Sequence, residues 1–250
     1  MSFLSTFSLQ AQSTEAELKT QLMHKPLYVR GCWRHDQLHF DSNGVLTSAS
    51  SPITFTLCGF DLKTLHLKND KLVLEGVRAG LELADDKVKR ISLGEDMRIE
   101  IDANPKNDYG PALNSIFVSN LEDLVPSMPF YWQNYAKKHF VPSATPSESS
   151  EASDNKPQRI GGAITAPVLI RSAPPQYSPS AEHVGYGGNV LIRIWIQPDG
   201  TVSHPSIVRP IGLGLDENAL AAVLKYLFKP AMQDGKPVLV EVNIQVNFQS

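Results

Sequence analysis

"YLFKPAMQDGKPVLVEVNIQVNF", Tyr226–Phe248, nearly ends the chain, and its second half repeats with a period of two. From Val238 onward, Val238, Val240, Val242, Ile244, Val246 and Phe248 fall on one side. Leu239, Glu241, Asn243, Gln245 and Asn247 fall on the other. That alternation predicts a strand with one face buried and one face wet. Asp234-Gly235 predicts a turn ahead of it, and Pro230 is expected to stop a preceding helix. Nothing in the strand looks catalytic. Whatever this strand contributes must come chiefly from its backbone.

The segments before it complete a small domain. "ENALAAVLKYLF" places Leu220, Val223, Leu224 and Leu227 on one helical face, with Asp216 expected as the N-cap. Further upstream, "NVLIRIWIQ" alternates Val190, Ile192, Ile194 and Ile196 against Leu191, Arg193, Trp195 and Gln197. Pro198-Asp199-Gly200 turns it into a second strand, "TVSHPSIVR", whose Pro205 marks an edge or a bulge. A short helical turn is expected from Pro179 to His183. The order is β-β-α-β, with the helix laid across a three-stranded antiparallel sheet.

"VPSATPSESSEASDNKPQ" is Ser- and Pro-rich and has no large apolar residue after its first. It cannot bury enough surface to offset the entropy of ordering, so residues 142–158 are expected to be a flexible linker. The domain plan is then 1–13, 14–141, 142–158 and 159–250, and the fold class is α+β. The 14–141 segment reads as antiparallel and β-rich. Its strand-like runs are "LYVRGCW", "QLHF", "VLTSA", "ITFTLCGF", "TLHL", "KLVLEG" and "MRIEID", separated by turn signals such as Lys68-Asn69-Asp70. Ile53, Phe55 and Leu57 alternate, as do Met97, Ile99 and Ile101. Two short helices should close this domain, one opening on the capping box Ser119-Asn120-Leu121-Glu122 and one at Pro129. The aromatic residues of "PFYWQNYAKKHF" are expected to pack on the domain's own sheet.

Composition excludes some functions. A chain of 250 residues with 42% hydrophobic residues can build packed cores, and a formal net charge of −3 with no basic segment argues against nucleic acid. No apolar run reaches the length of a membrane-spanning helix. The start, "MSFLSTFSLQAQS", reads as the tail of a secretory signal peptide whose beginning is missing, against a frayed N-terminus. With an extracytoplasmic location Cys32 and Cys58 could form a disulfide, and the alternative is two buried thiols. His35 and His39 lie four apart on an expected strand, about 13 Å along it, too far to share a metal. No nucleophile, base and orienting group can be assembled from the motifs. No enzyme activity, no metal and no cofactor are expected.

The terminal domain resembles the C-terminal domain of the TonB family of energy transducers over about residues 166–248. The residues that carry the resemblance are Pro175-Gln176-Tyr177, Pro198-Asp199-Gly200, Leu215-Asp216-Glu217-Asn218-Ala219 and the unbroken block Phe228 to Val238, "FKPAMQDGKPV". The chain departs at Tyr226, where Trp is common, and at Ser178, where the family continues with Pro. It also shows no N-terminal membrane helix. The resemblance implies a periplasmic protein whose last strand takes up a short segment of an outer-membrane receptor or another envelope protein by strand addition, in TonB-dependent transport. Inner-membrane association would follow if an upstream segment is missing. Carried over by position, the peptide-binding residues are Val242, Asn243, Ile244, Gln245, Val246 and Asn247. Tyr177 stands either beside this edge or as a core plug. Proline at Ile244 is expected to remove one ladder donor and abolish peptide binding while the N-terminal domain stays folded. Two alternatives stand beside this reading: the terminal strand pairs with a second copy to give a homodimer, or the domain localises an N-terminal domain of unknown activity. Arg193 and Trp195 either pack or form a partner-facing patch.

Overall fold

The structure is a computed structural model and describes residues 14–84, 87–141 and 156–249. The expected signal remnant and nearly all of the expected linker lie outside the described residues. The chain divides into two compact units, Met1–Leu81 with Arg90–Leu124, and Glu82–Lys89 with Val125–Ser250.

The first unit opens with helix α1 (Glu15–Leu22), unforeseen from the sequence although Thr14 and Glu17 make a full capping box. Strands β1 (Leu27–Val29), β2 (Gln37–Phe40), β3 (Gly59–Lys68), β4 (Lys71–Ala84) and β5 (Lys87–Asp102) follow, then helix α2 (Gly110–Ile116) and β6 (Phe117–Val118). The sheet order is β2-β5-β4-β3-β1-β6. It is not the simple antiparallel meander expected, because β2 pairs with β5 in parallel, Gln37 opposite Arg98 through Phe40 opposite Ile101. The β3–β4 hairpin does turn where predicted, with Asn69 and Asp70 both left-handed at φ 52° and 58°. Met97, Ile99 and Ile101 are buried with Leu38, Phe40, Phe60, Leu65 and Leu74.

The expected strand through Ile53, Phe55 and Leu57 is instead a 3₁₀ turn, Phe55–Leu57. Thr54 caps it by accepting from the Thr56 N–H at 3.2 Å, and Thr56 is as buried as its neighbours, so the alternation was not a two-sided one. "VLTSA" forms no strand beyond one bridge between Phe40 and Leu46. Cys32 and Cys58 are joined in a disulfide, with Cα atoms 4.6 Å apart. Arg78, 3% exposed, fastens both limbs of that link. It donates to the carbonyls of Leu57 (3.0 Å) and Trp33 (3.1 Å) and to Asp36 Oδ1 (2.8 Å).

The capping box at Ser119 leads to a 3₁₀ turn, Glu122–Ser127, which carries Pro126 inside it, and not to an α-helix. Helix α3 (Phe130–Phe140) groups with the second unit. That unit continues with β7 (Val168–Arg171), α4 (Pro179–His183), β8 (Gly188–Ile196), β9 (Val202–Arg209), α5 (Leu215–Val223), β10 (Leu227–Lys229), β11 (Ala231–Gln233), β12 (Lys236–Val238) and β13 (Val240–Phe248). Helix α3, whose aromatics were expected on the first domain's sheet, packs against β9 of its own unit, and Trp132 is fully buried while Phe130 is left exposed. Its indole Nε1 donates to Glu217 Oε1 at 2.8 Å, which ties α3 to α5.

The expected β-β-α-β core is β8, β9, α5 and β13, in an antiparallel sheet ordered β13-β8-β9. Val190, Ile192, Ile194 and Ile196 of β8 meet Val240, Val246 and Phe248 of β13 under α5, all buried. Two corrections concern α5. Asp216 is not the N-cap. Gly214 is, and Asp216 lies one residue inside the helix, where its two oxygens accept from the N–H groups of Ile211 and Gly212, each at 2.8 Å. Pro230 does not stop the helix, which ends at Val223, so that Leu227–Lys229 can leave as β10 and pair with β7. The long terminal strand is likewise divided. Val238 belongs to β12, which forms a small hairpin with β11, and the strand proper starts at Val240.

Candidate functional site

A three-stranded sheet has two edges, and this one treats them differently. The β9 edge is blunted. Pro205 sits within the strand, His204 beside it is left-handed at φ 47°, the register with β8 shifts near Trp195, and α3 packs against it. Proline and irregular register are the devices by which sheet edges avoid further pairing. The β13 edge has none of them. It runs in unbroken register against β8 from Val240 opposite Ile196 to Phe248 opposite Gly188.

The direction of its backbone groups follows from one short contact. Gln158 lies parallel to Val240 on the outer side of β13, donating its N–H to the Leu239 carbonyl at 2.9 Å and accepting from the Glu241 N–H at 3.3 Å. In an antiparallel strand the N–H and C=O of one residue point the same way, and alternate residues point oppositely. Glu241 faces outward, so Asn243, Gln245 and Asn247 do too, and Val242, Ile244 and Val246 aim their backbone groups at β8. Of the six positions carried over from the family, therefore, three present ladder groups to a newcomer and three do not. The expectation for Ile244 is corrected by this register, since its N–H faces β8 and proline there would damage the domain's own sheet.

Side chains divide by the same alternation. On the α5 side, Val242 and Ile244 are half-buried between the buried Val240 and Val246. On the open side lie Asn243, Gln245 and Asn247, all exposed. Asn189 Oδ1 accepts from Gln245 Nε2 at 3.3 Å and from Asn247 Nδ2 at 2.7 Å. Glu241 closes the near end, taking the Trp195 Nε1–H at 3.2 Å and standing 3.6 Å from Arg193 Nε. Trp195 stacks on His204 with ring centroids 4.0 Å apart. Arg193 and Trp195 thus engage their own sheet's open face, beside the edge and not on it.

Tyr177 closes the far end of β13. Its ring meets Phe248 edge-on at 5.5 Å, and its hydroxyl donates to the Tyr186 carbonyl at 3.1 Å. Gly187 makes this possible: a Cβ there would stand 2.6 Å from the Tyr177 hydroxyl and 2.5 Å from the Phe248 carbonyl oxygen. The Tyr186 hydroxyl donates to the Ile211 carbonyl at 3.0 Å, and burial, with Glu82 and Asp216 nearby, pushes its pKa up to about 12. Both tyrosines are struts of the loop that leads into β8. Sequence reasoning missed Gln158 and Gly187. Gln158 stands at the end of a Ser/Pro run without periodicity, and Gly187 could only be read as one glycine among several in a loop.

No cluster of His, Cys, Asp and Glu among the described residues could hold a metal, and no helix among them is long and apolar enough to cross a membrane. What the second unit offers is a small α+β domain with one blunted edge and one open edge. An open sheet edge is a surface to which an extended backbone can add as a further strand.

Residues 173–250 match the family described as Gram-negative bacterial TonB protein C-terminal. A curated relative, "Protein TonB" of Vibrio cholerae serotype O1, is 27% identical over 117 residues, which cover 44% of this chain and 45% of that protein. The match thus spans less than half of the relative's length. Among solved structures, the solution NMR structure of the Pseudomonas aeruginosa TonB CTD aligns over 37% of this chain and 93% of that one, with 22% identity and a TM-score of 0.30. The family match, residues 173–250, includes the block from Phe228 to Val238 that carries the resemblance.

Proposed function

We propose that the second unit takes up an extended segment of an envelope protein, in the first instance an outer-membrane receptor, by strand addition to the outer edge of β13. The chain then acts in the periplasm as a TonB-like protein in transport across the envelope. The observation that carries this reading is Gln158. An extended backbone already pairs with the start of this edge through two hydrogen bonds, and beyond it Asn243, Gln245 and Asn247 continue the same ladder, their outward backbone groups bonded to no described residue. Three outward residues suit an added segment of about five or six residues.

The test uses the full chain labelled with ¹⁵N and a capped hexapeptide alternating valine and glutamine. Amide exchange at Asn243, Gln245 and Asn247 should slow on addition of the peptide. Gln245→Pro removes an outward donor, which an edge strand tolerates, and should abolish binding while the fold persists. Ile244→Pro should instead unfold the second unit. Unchanged exchange at all three amides, or full binding by Gln245→Pro, would overturn the proposal. Sedimentation of the free chain tests the rival occupant: a stable dimer that protects the same amides would give the edge to a second copy.

A further inference from the structure

The two faces beside the open edge are chemically unlike, and an incoming strand must present a different side chain to each. A residue opposite Asn243, Gln245 or Asn247 shares the open face with those amides, whereas one opposite Val242 or Ile244 shares the α5 side with half-buried branched side chains. On the open face of β13 the first residue, Glu241, stands 3.6 Å from Arg193. The remainder is a row of neutral amides. Asn189 Oδ1 already takes one donor from Gln245 and one from Asn247, which leaves their carbonyl oxygens unengaged among the described residues, and the Asn243 amide has no described partner at all.

We infer that this edge selects a segment in which amide or hydroxyl side chains alternate with branched apolar ones, uncharged at the amide positions, and that this alternation fixes the register. The inference rests on the proposed strand addition and goes further by naming the side chains. The mechanism is continuation of an existing ladder. Gln or Asn on the incoming strand extends the row begun by Asn189 and the β13 amides, and Ser or Thr can donate to the free carbonyl oxygens. The apolar residues extend the cover over Val242 and Ile244. A slip by one residue would exchange the two sets, placing valines over amides and amides over valines. Gln158 holds the first outward position, so the segment cannot gain ladder bonds by sliding toward Glu241.

The experiment is a double-mutant cycle across the edge, read by calorimetry on the full chain. The capped valine–glutamine hexapeptide is compared with one in which every glutamine is alanine. Each cross-strand pair contributes modestly, so the alanine peptide should bind roughly tenfold more weakly. In the Asn243→Ala/Gln245→Ala/Asn247→Ala protein that difference should vanish, because the interacting amides of β13 are gone. Equal affinity of the two peptides, with the Asn243, Gln245 and Asn247 amides still protected, would overturn the selectivity and leave strand addition standing. Protection of those amides by neither peptide would remove both.

Discussion

Asp216 should be the most costly polar side chain to replace in the second unit. It is fully buried, and its two oxygens hold the Ile211 and Gly212 N–H groups that turn β9 into α5. Asp216→Ala leaves two buried donors without acceptors, at roughly 1–3 kcal/mol each, so the loss should be about 2–5 kcal/mol. Asp216→Asn keeps one acceptor and turns an amide donor toward the other N–H, for a loss of about 2 kcal/mol. The pH dependence carries a separate sign. Burial, then the neighbouring Glu217, raises the folded-state pKa of Asp216 well above the ordinary value, and this outweighs the backbone hydrogen bonds from Ile211, Gly212 and its own N–H. For an acid with a raised folded pKa the folded state binds more protons than the unfolded state between the two values. The wild type should therefore lose about 1.4 kcal/mol per pH unit above an unfolded pKa of about 3.9, relative to Asp216→Asn, until the folded carboxyl ionises. Urea melts followed by tryptophan fluorescence measure both effects. In a Trp33→Phe background the signal comes only from Trp132 and Trp195, both of the second unit. An Asp216→Ala midpoint within about 0.5 kcal/mol of the parent would refute the capping role, and parallel pH profiles for parent and Asp216→Asn would refute the raised pKa.

Two further outcomes follow from the backbone and the disulfide. Gly200 has φ 84°, and a Cβ there would overlap the Phe228 carbonyl oxygen, whereas Gly94 has φ 71° and open space around it. Gly94→Ala should cost about 1 kcal/mol from left-handed strain alone, and Gly200→Ala distinctly more, as read by thermal melts. Cys58→Ser opens a link between residues 26 apart and should cost about 3 kcal/mol, matched in the wild type by adding a reductant; an unchanged melting temperature in both would contradict the link.

The C-terminal sheet was legible because its period of two is long and its turn residues are strong. Nine residues of β8 alternate without a break, and the Asp234-Gly235 turn falls where the β11–β12 hairpin needs it. What failed there is instructive. Leu224 and Leu227 fit the helical face of α5 by spacing, yet the helix stops at Val223, and β10 pairs with β7. That pairing joins residues nearly sixty apart, and no local pattern can announce it. The N-terminal unit fared worse for the same reason. Its hairpin at Asn69-Asp70 is local and was read correctly. The parallel pairing of β2 with β5 is not local, and it rests on an exposed-to-buried alternation in four residues, Gln37–Phe40, too short to fix a partner.

The candidate site shows the same division at finer grain. Alternation in Val240–Phe248 identifies which side chains are buried, and it says nothing about which backbone groups are free, since N–H and C=O lie in the plane of the sheet and side chains stand across it. A residue can be exposed by side chain and engaged by backbone, or the reverse. Only an established contact on one side resolves the ambiguity, and here it is Gln158 on Leu239 and Glu241. That single contact moves the candidate donors from six consecutive positions to Asn243, Gln245 and Asn247, and it converts Ile244→Pro from a test of binding into a test of folding. It also explains why the strand carries amides where it does. The outward residues have their side chains on the open face, so under the proposed strand addition the positions that would hold a partner's backbone also meet its polar side chains, while Val242 and Ile244 meet its apolar ones.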